Sequence, residues 1–262
     1  MKRIPINIDA GEFPGSLRPI ISGAEVYDSS CSPRARVYFI DRDRGYYIKR
    51  SPNGTLTREA EMTRFFHSKG LAANVIEYFS DGEYDWMLTE RVKGEDCTHA
   101  EYLSNPERLC DTLALILREL HEENCNGCPV PDRIDGYFGK MKENYEKGEY
   151  DLSYLSPSLT KMNADEAYRY VTENRAAFKS DTLLHGDYCL PNIMLDNWRF
   201  SGFIDLDGAG VGDRHIDLYW GAWTLDFNLK TDTYRERFFD AYGRDKVDTN
   251  MIDLVSAAEV FG

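Results

Sequence analysis

The first third of the chain alternates apolar and polar residues with the short period of β-strands. Four runs rich in aromatic and β-branched residues form two pairs, 36–40 with 46–49 and 75–79 with 86–90. A short polar turn containing glycine separates the members of each pair, which is typical of a β-hairpin. Residues 57–69 lie between the pairs and predict one helix, which Gly70 would end.

After residue 94 the apolar positions change to helical spacing. Residues 106–121 carry one apolar stripe, made of Leu109, Leu113, Ile116, Leu117 and Leu120. Such a stripe predicts an amphipathic helix. Further helices are predicted near 136–147, 163–178, 215–229, 231–242 and 249–260. The segment 183–205 instead holds short apolar pieces between polar residues, which indicates strands and loops.

These patterns together predict an α+β chain with two lobes. The first lobe, residues 1–94, is rich in strands, and the second, residues 95–262, is mainly helical. Near the end of the second lobe, Trp220, Trp223 and Phe227 recur at helical spacing. We expect these three aromatic side chains to lie in the core.

Charge narrows the possible partners. The chain has 31 basic and 45 acidic residues, a net charge of −14. This balance argues against binding a nucleic-acid backbone or an anionic membrane surface, both of which require basic residues. Residues 1–94 carry a net charge of +1 and residues 95–262 carry −15. The acidic excess is either a solvated surface or a cleft for a cationic substrate, and the charge alone favours the surface.

Six cysteines are present, and Cys125 and Cys128 have the spacing of metal ligands, with His121 one helical turn earlier. No second pair of ligands is near them, so we expect reduced thiols and no structural zinc. The chain has no signal-like apolar segment after Met1 and no apolar run of membrane-spanning length. We therefore predict a cytoplasmic location.

Three polar residues in the strand-and-loop segment suit phosphoryl transfer. Asp187 is followed five residues later by Asn192 and thirteen residues after that by Asp205. Each alone is an ordinary turn residue. Between buried apolar anchors, the first carboxylate can orient or deprotonate an attacking hydroxyl, while the amide oxygen and the second carboxylate are suitable ligands for Mg²⁺.

The segment 185–217 closely resembles the aminoglycoside 3′-phosphotransferases, bacterial kinases with a protein-kinase-like fold. The shared pattern is H-G-D-x4-N, an I-D strand, and D-x3-D, which here ends at Asp213 and Asp217. The resemblance implies a bilobal kinase-like fold and assigns Asp187 as the catalytic residue. It also implies that Asn192 and Asp205 bind Mg²⁺.

Two further residues are expected to support this loop. The resemblance implies that Asp217 holds the loop in place. His185 is expected to brace it through hydrogen bonds and not to act as the base.

The first lobe contains candidate residues for binding a nucleoside triphosphate. Lys49 resembles the family's strand lysine, which implies a contact with the α- and β-phosphates, and Tyr47 would lie against adenine. Glu59 lies three residues before Met62 and seven before Phe66, so it shares their inward face. A buried carboxylate requires a partner, and we expect Lys49 to provide it.

The resemblance also implies two backbone contacts with the nucleotide. The Ser-rich turn with Ser30 and Ser32 resembles the family's phosphate-covering loop, whose N–H and hydroxyl groups can bind phosphate oxygens. Glu90 and Val92 occupy the hinge, where backbone groups would contact adenine.

The acceptor site departs from the family pattern. Family members tend to end in an acidic pair followed by two apolar residues, with a terminal Phe carboxylate. Here Ala258 replaces one acid, Glu259 retains the other, and Gly262 displaces the terminal carboxylate by one residue. We expect Glu259, Gly262 and Asp151 to contact the acceptor; Asp165 and Glu166 are alternatives to Asp151.

The resulting hypothesis is a Mg²⁺-dependent kinase that uses ATP or GTP to phosphorylate an aminoglycoside hydroxyl. One alternative is a kinase of another small alcohol, such as an amino alcohol or a sugar. A second is an inactive nucleotide-binding module, whose signature would be loss of Lys49, Asp187 or Asp205, but all three are present. Because aminoglycosides are polycations, the acidic second lobe now gives modest support to a cationic acceptor.

Overall fold

A computed structural model describes residues 3–31 and 35–262. The chain divides into two compact units. The first unit is the described part of Met1–His99 together with Pro191–Asp207, and the second is Ala100–Leu190 with Gly208–Gly262. The two lobes predicted from sequence meet at a single boundary, residue 94. In the structure the first unit also includes the later segment Pro191–Asp207.

The first unit is built on a six-stranded antiparallel sheet. Its strands are β1 (Ile4–Ile6), β2 (Glu25–Asp28), β3 (Arg36–Asp41), β4 (Tyr46–Pro52), β5 (Val75–Ser80) and β6 (Tyr84–Glu90). Their order is β1-β2-β3-β4-β6-β5. Both predicted hairpins, β3–β4 and β5–β6, are confirmed.

Two helices accompany this sheet, α1 (Arg18–Ile21) and α2 (Thr57–Ser68). The predicted helix 57–69 corresponds to α2, and Gly70 follows it with a left-handed φ of 75°. Helix N-termini leave amide groups without a partner inside the helix, and a side chain can satisfy them. Here the Leu56 N–H donates to the buried carboxylate of Asp85 at 2.9 Å.

A small sheet explains why Pro191–Asp207 belongs to the first unit. Its strands are β7 (Glu95–Asp96), β9 (Ile193–Asp196) and β10 (Arg199–Phe203), in the order β10-β9-β7. Glu95 pairs with Leu195, and the Phe203 N–H donates to the Leu71 carbonyl at 2.8 Å. A two-residue strand such as β7 has too little periodicity for recognition in sequence.

The second unit is mainly helical. Its helices are α3 (Ala100–Leu103), α4 (Pro106–Glu122), α5 (Ile134–Lys147), α6 (Ala164–Glu173), α7 (His215–Leu229), α8 (Arg235–Gly243) and α9 (Thr249–Glu259). A short antiparallel pair, β8 (Thr182–Leu184) and β11 (Gly210–Gly212), completes it. The helix predicted over 163–178 is shorter, because α6 gives way to a 3₁₀ turn at Arg175–Ala177.

The predicted burial of one aromatic stripe on α7 is wrong. Trp220 and Trp223 are half-buried, and Phe227 is 54% exposed. The helix buries most of its other positions, including Ile216 and Leu225. On a helix apolar on nearly every side, spacing alone does not identify the face that meets solvent.

In the part of the chain that the structure describes, no helix is long and apolar enough to cross a bilayer.

Candidate active site

The first unit contains a cluster of one cation and two carboxylates. Lys49 lies on β4, and its Nζ donates to Glu59 Oε2 on α2 at 2.7 Å. The same Nζ donates to Asp205 Oδ1 at 2.8 Å. Tyr47 and Lys49 are two residues apart and therefore share one face of β4, while Ile48 enters the core on the other. The expected Lys49–Glu59 ion pair is present.

The protonation of Lys49 is determined by competing effects. Burial alone would lower the pKa of its ammonium, but the charges of Glu59 and then Asp205 raise it above the ordinary value. Glu59 is buried, whereas the Asp205 side chain is 51% exposed. Lys49 thus remains charged, with one carboxylate fixed in the interior and one accessible to a ligand.

Asn192 and Asp205 are linked through the backbone. The Ile204 N–H donates to the carbonyl of Asn192 at 3.0 Å, next to Asp205. Asp205 has a left-handed φ of 60°, a conformation that favours glycine. A side-chain amide oxygen and a carboxylate therefore belong to one local arrangement.

This donor set fits Mg²⁺, which binds one or two protein oxygens and takes its other ligands from phosphates and water. No group of three or more His, Cys, Asp or Glu residues able to hold a metal occurs among residues 3–31 and 35–262. None of the six cysteines, all of which lie in the described part of the chain, forms a disulfide, and Cys128 Sγ donates to the Val130 carbonyl at 3.3 Å.

The proposed phosphate-covering turn is partly described. Ser30 donates its N–H to Asp28 Oδ1 at 2.9 Å, and its Oγ accepts from the Val37 N–H at 2.9 Å. These bonds fix the Ser30 side chain at the start of the turn. Ser32 lies outside the described residues.

The proposed adenine contacts lie at two places on the first unit. Tyr47 accepts a hydrogen bond from Arg3 at 3.2 Å, and its ring lies 5.1 Å from that of Phe39. At the hinge, the Glu90 N–H donates to the Asn74 carbonyl at 3.1 Å.

Val92 is buried beside Gly202. A Cβ at Gly202 would lie 3.0 Å from Val92 Cγ1, so the side chain of Val92 packs inward.

In the second unit, a loop after β8 carries Asp187, which is half-buried. Asp217 is fully buried and accepts the backbone N–H groups of His185 and Gly186, each at 2.7 Å. The Asp187 N–H in turn contacts His185 Nδ1 at 3.3 Å. One carboxylate on α7 thus fixes the backbone immediately before Asp187.

A glycine is required within this loop. Gly186 has a φ of 84°, and a Cβ there would lie 1.9 Å from the carbonyl oxygen of Gly208. Backbone atoms cannot approach a side chain so closely, so the loop packs against the segment at Gly208 because Gly186 lacks a side chain.

His121 contacts Asp217, the residue that holds the loop before Asp187, and this role was not predicted from the sequence. Its Nε2 lies 3.2 Å from Asp217 Oδ2, and its Nδ1 lies 2.8 Å from the Tyr242 hydroxyl. Burial lowers the pKa of His121 and favours the neutral ring. Because Asp217 can only accept, we assign the proton to Nε2 and the Tyr242 O–H as donor to Nδ1.

Asp217 remains ionised in this network. Burial would raise its pKa, but hydrogen bonds from His121 and from the backbone outweigh burial and hold the pKa below the ordinary value. In the sequence, His121 stands out only through its spacing to Cys125. Its partner, 96 residues away, leaves no signal in local spacing.

The three expected acceptor contacts differ in accessibility. Asp151 and Gly262 are exposed, and the Asp151 N–H donates to the Val260 carbonyl at 2.9 Å. Glu259 is only 5% exposed, and its Oε1 accepts from the Tyr137 hydroxyl at 2.7 Å.

Burial raises the pKa of Glu259 to about 7, and the Asp187 charge acts in the same direction. Hydrogen bonds from Tyr137 and Trp220 and the charge of Arg133 oppose this rise. Glu259 is therefore a buried, hydrogen-bonded carboxyl and not an open anionic contact.

One unit contains a sheet and the Lys49–Glu59–Asp205 cluster. The other is helical and holds Asp187 on a loop whose backbone donates to Asp217. These features are those of a kinase-like phosphotransferase. The model of the phosphotransferase enzyme family, APH, matches residues 25–251, and the chain belongs to that family. The family transfers phosphate to a hydroxyl group. The prediction that this chain is a phosphotransferase with an alcohol acceptor is therefore confirmed.

Named relatives agree with this assignment. The chain is 50% identical over 262 residues to a probable aminoglycoside 3′-phosphotransferase of Lactococcus lactis subsp. lactis strain IL1403, which covers 100% of this chain and 99% of the relative.

Solved structures confirm the predicted α+β, protein-kinase-like fold. The type VIII aminoglycoside-3′-phosphotransferase superposes with a TM-score of 0.79 at 23% identity, covering 94% of this chain and 97% of that one. APH(3″)-Id of Streptomyces rimosus ATCC10970, in complex with ADP and streptomycin, gives 0.72 at 20% identity, with coverages of 86% and 90%.

Proposed function

We propose that this protein is a Mg²⁺-dependent kinase that transfers the γ-phosphate of ATP or GTP to a hydroxyl of an aminoglycoside. The observation that carries the proposal is the Lys49 ammonium held between buried Glu59 and accessible Asp205. This arrangement resembles the lysine–glutamate pair and metal-binding aspartate of kinases. The 50% identical relative supports the choice of acceptor.

Each residue has a defined part in the proposed reaction. Lys49 binds phosphate oxygens, and Glu59 keeps its ammonium in position. Asn192 and Asp205 would hold Mg²⁺, which supplies positive charge to the triphosphate when bound. The proposed nucleotide contacts are Ser30, Tyr47, Glu90 and Val92. Ser32 is also proposed as a nucleotide contact, from the sequence alone.

Asp187 orients the acceptor hydroxyl and takes its proton as the oxygen attacks the γ-phosphorus. The bond from that phosphorus to the β–γ bridging oxygen breaks, and the nucleoside diphosphate leaves. Asp217, supported by His121, keeps the loop in the geometry that Asp187 requires.

A panel of acceptors tests this proposal. Release of ADP or GDP would be measured with kanamycin-type aminoglycosides, choline and sugars, each with both nucleotides. We expect turnover with at least one aminoglycoside, and loss of turnover but not of nucleotide binding in Asp187→Ala. Near-normal turnover by that variant would contradict the role of Asp187.

One observation favours a second candidate, a kinase of another small alcohol. Glu259 is buried and already bonded to Tyr137, and Ala258 replaces the neighbouring acid. Turnover of choline or a sugar without turnover of any aminoglycoside would favour this candidate. Turnover of any acceptor would exclude an inactive nucleotide-binding module.

A further inference from the structure

Four aromatic side chains form a partly exposed surface on the second unit, which we call the aromatic shelf. Its members are Tyr154, Trp220, Trp223 and Phe227. Trp223 stacks on Phe227 with ring centroids 4.9 Å apart and planes 10° apart. The ring centroid of Tyr154 lies 5.7 Å from that of each tryptophan, and the two tryptophan centroids are 5.3 Å apart. The four rings are therefore one continuous aromatic surface.

The helix that carries three of the shelf residues contacts the loop of Asp187. Thr224 lies on α7, one turn after Trp220, and its Oγ1 accepts the Leu190 N–H at 3.1 Å. Thr224 and Asp187 are also hydrogen-bonding partners of the Cys189 thiol. A single thiol thus connects the helix that carries the shelf with the proposed catalytic carboxylate.

Carboxyl groups lie near the shelf. Trp220 hydrogen-bonds to the carboxyl of Glu259. Burial and then the charges of nearby acidic groups, among them Asp151 and Asp187, raise the pKa of Tyr154. Aromatic faces attract cations through their quadrupole, and adjacent carboxylates strengthen this attraction.

The chain already places a cation of its own on this surface. Lys230 Nζ lies 4.3 Å from the centroid of Phe227. Lys230 ends α7 in a left-handed conformation, with φ of 59°. Its contact at one edge of the shelf is an internal example of the chemistry that the surface favours.

We infer that the aromatic shelf binds an ammonium-bearing sugar ring of the acceptor while Asp187 meets the acceptor hydroxyl. The inference rests on the proposed function and adds a subsite to it. The ring packs its apolar face on Trp223, and its ammonium groups lie over the aromatic faces. Specificity for a cationic acceptor thus comes from aromatic faces as well as from carboxylates.

Variants of Trp223 test the shelf, because Trp223 contacts each of the other three shelf rings and lacks the hydrogen bond that ties Trp220 to Glu259. In Trp223→Ala we expect the acceptor KM to rise about tenfold, equivalent to roughly 1.4 kcal/mol. We expect kcat and the nucleotide KM to change by less than about twofold, because this ring does not touch the reacting atoms. Trp223→Phe should recover most of the loss.

Leu115→Ala is the matched control, since Leu115 is an apolar side chain of the second unit that is 51% exposed. It should leave every constant unchanged. Thermal unfolding of each variant separates loss of binding from loss of folding.

Tetramethylammonium is a probe that needs no acceptor of known identity. It should compete with the acceptor in the wild type and lose this competition in Trp223→Ala. An unchanged acceptor KM in a folded Trp223→Ala, with the wild type active, would overturn the shelf and leave the kinase assignment intact.

Calorimetric titration separates the two proposals if the wild type phosphorylates nothing. Aminoglycoside binding that weakens in Trp223→Ala would then support the shelf while the proposed reaction fails. Binding that does not depend on Trp223 would overturn both.

Discussion

At the scale of single residues, Lys49 depends on two carboxylates that differ in burial. Glu59 lies in the interior and can only serve the lysine, whereas Asp205 is accessible to a ligand. If Asp205 binds Mg²⁺ as proposed, Glu59 is the partner that keeps Lys49 in position. The buried half of the cluster therefore carries its structural role.

Substitution of Glu59 by glutamine tests this division. Glu59→Gln retains the shape but removes the charge, so we expect the unfolding free energy to fall by about 1–3 kcal/mol and nucleotide affinity to fall with it. Glu61→Gln on the same helix is the control, because Glu61 is exposed, and it should stay within about 0.5 kcal/mol. Urea denaturation and nucleotide titration measure both effects, and equal losses in the two variants would contradict the pairing.

Glu259 gives a prediction for pH. Burial is the largest effect on its pKa and raises it from 4.5 to about 7 in the folded protein. Hydrogen bonds from Tyr137 and Trp220 oppose this rise. A raised carboxyl pKa means that the folded state binds the proton more tightly. The resulting stability is complete below the unfolded pKa and is lost as pH rises through the folded pKa.

Between pH 5 and 8, the wild type should lose roughly 2–3 kcal/mol more unfolding free energy than Glu259→Gln, whose amide does not titrate. Chemical denaturation of both proteins across this range measures the difference. Parallel stability curves would show that Glu259 is ionised in the folded state throughout.

At the scale of elements, the loop after β8 is defined by a close approach of two backbone segments. Gly186→Ala would place a Cβ 1.9 Å from the Gly208 oxygen, so the loop must move. We expect kcat to fall by at least about 100-fold, because the next residue is Asp187, the proposed catalytic residue, and small misplacements of a catalytic group are costly.

Gly127→Ala separates strain from collision. Gly127 also has a left-handed φ, 75°, but nothing lies within 4 Å of an added Cβ. That variant should lose only about 1–2 kcal/mol of stability and keep its turnover. Loss of turnover in both variants would attribute the effect to backbone conformation alone.

Sequence periodicity predicted most elements, because long amphipathic segments leave a strong local signal. The inward position of Glu59 on α2 followed from its spacing to Met62 and Phe66, all of which are buried. Contacts between distant segments were not predicted. Neither the pairing of β7 with β9 nor the His121–Asp217 contact has a local pattern.

The exposed face of α7 was also not predicted. Trp223 has the same spacing whether its face meets the core or solvent, and only the surrounding chain decides between them. The shelf was therefore visible as a motif in the sequence but not as a surface.

At the scale of the whole molecule, the charge is unequally divided along the chain. Residues 95–262 carry a net charge of −15, whereas residues 1–94 carry +1. The carboxylates of Asp151 and Asp187 both act on Tyr154 and belong to this acidic part. A polycationic acceptor would be attracted over distances of several ångströms, whereas a neutral acceptor would not.

Ionic strength distinguishes this long-range attraction from contact at the aromatic shelf. The Debye length falls from about 10 Å at 0.1 M salt to about 3 Å at 1 M, so the KM of a polycationic aminoglycoside should rise severalfold across that range. The KM of the same acceptor with its amines acetylated should change much less. Trp223→Ala should raise the KM at every salt concentration without altering its slope, because a contact between a cation and a ring acts at short range. An equal dependence of KM on salt for the charged and the acetylated acceptor would show that residues 95–262 do not attract the acceptor through their net charge. A weaker salt dependence in Trp223→Ala than in the wild type would assign the long-range attraction to the shelf itself.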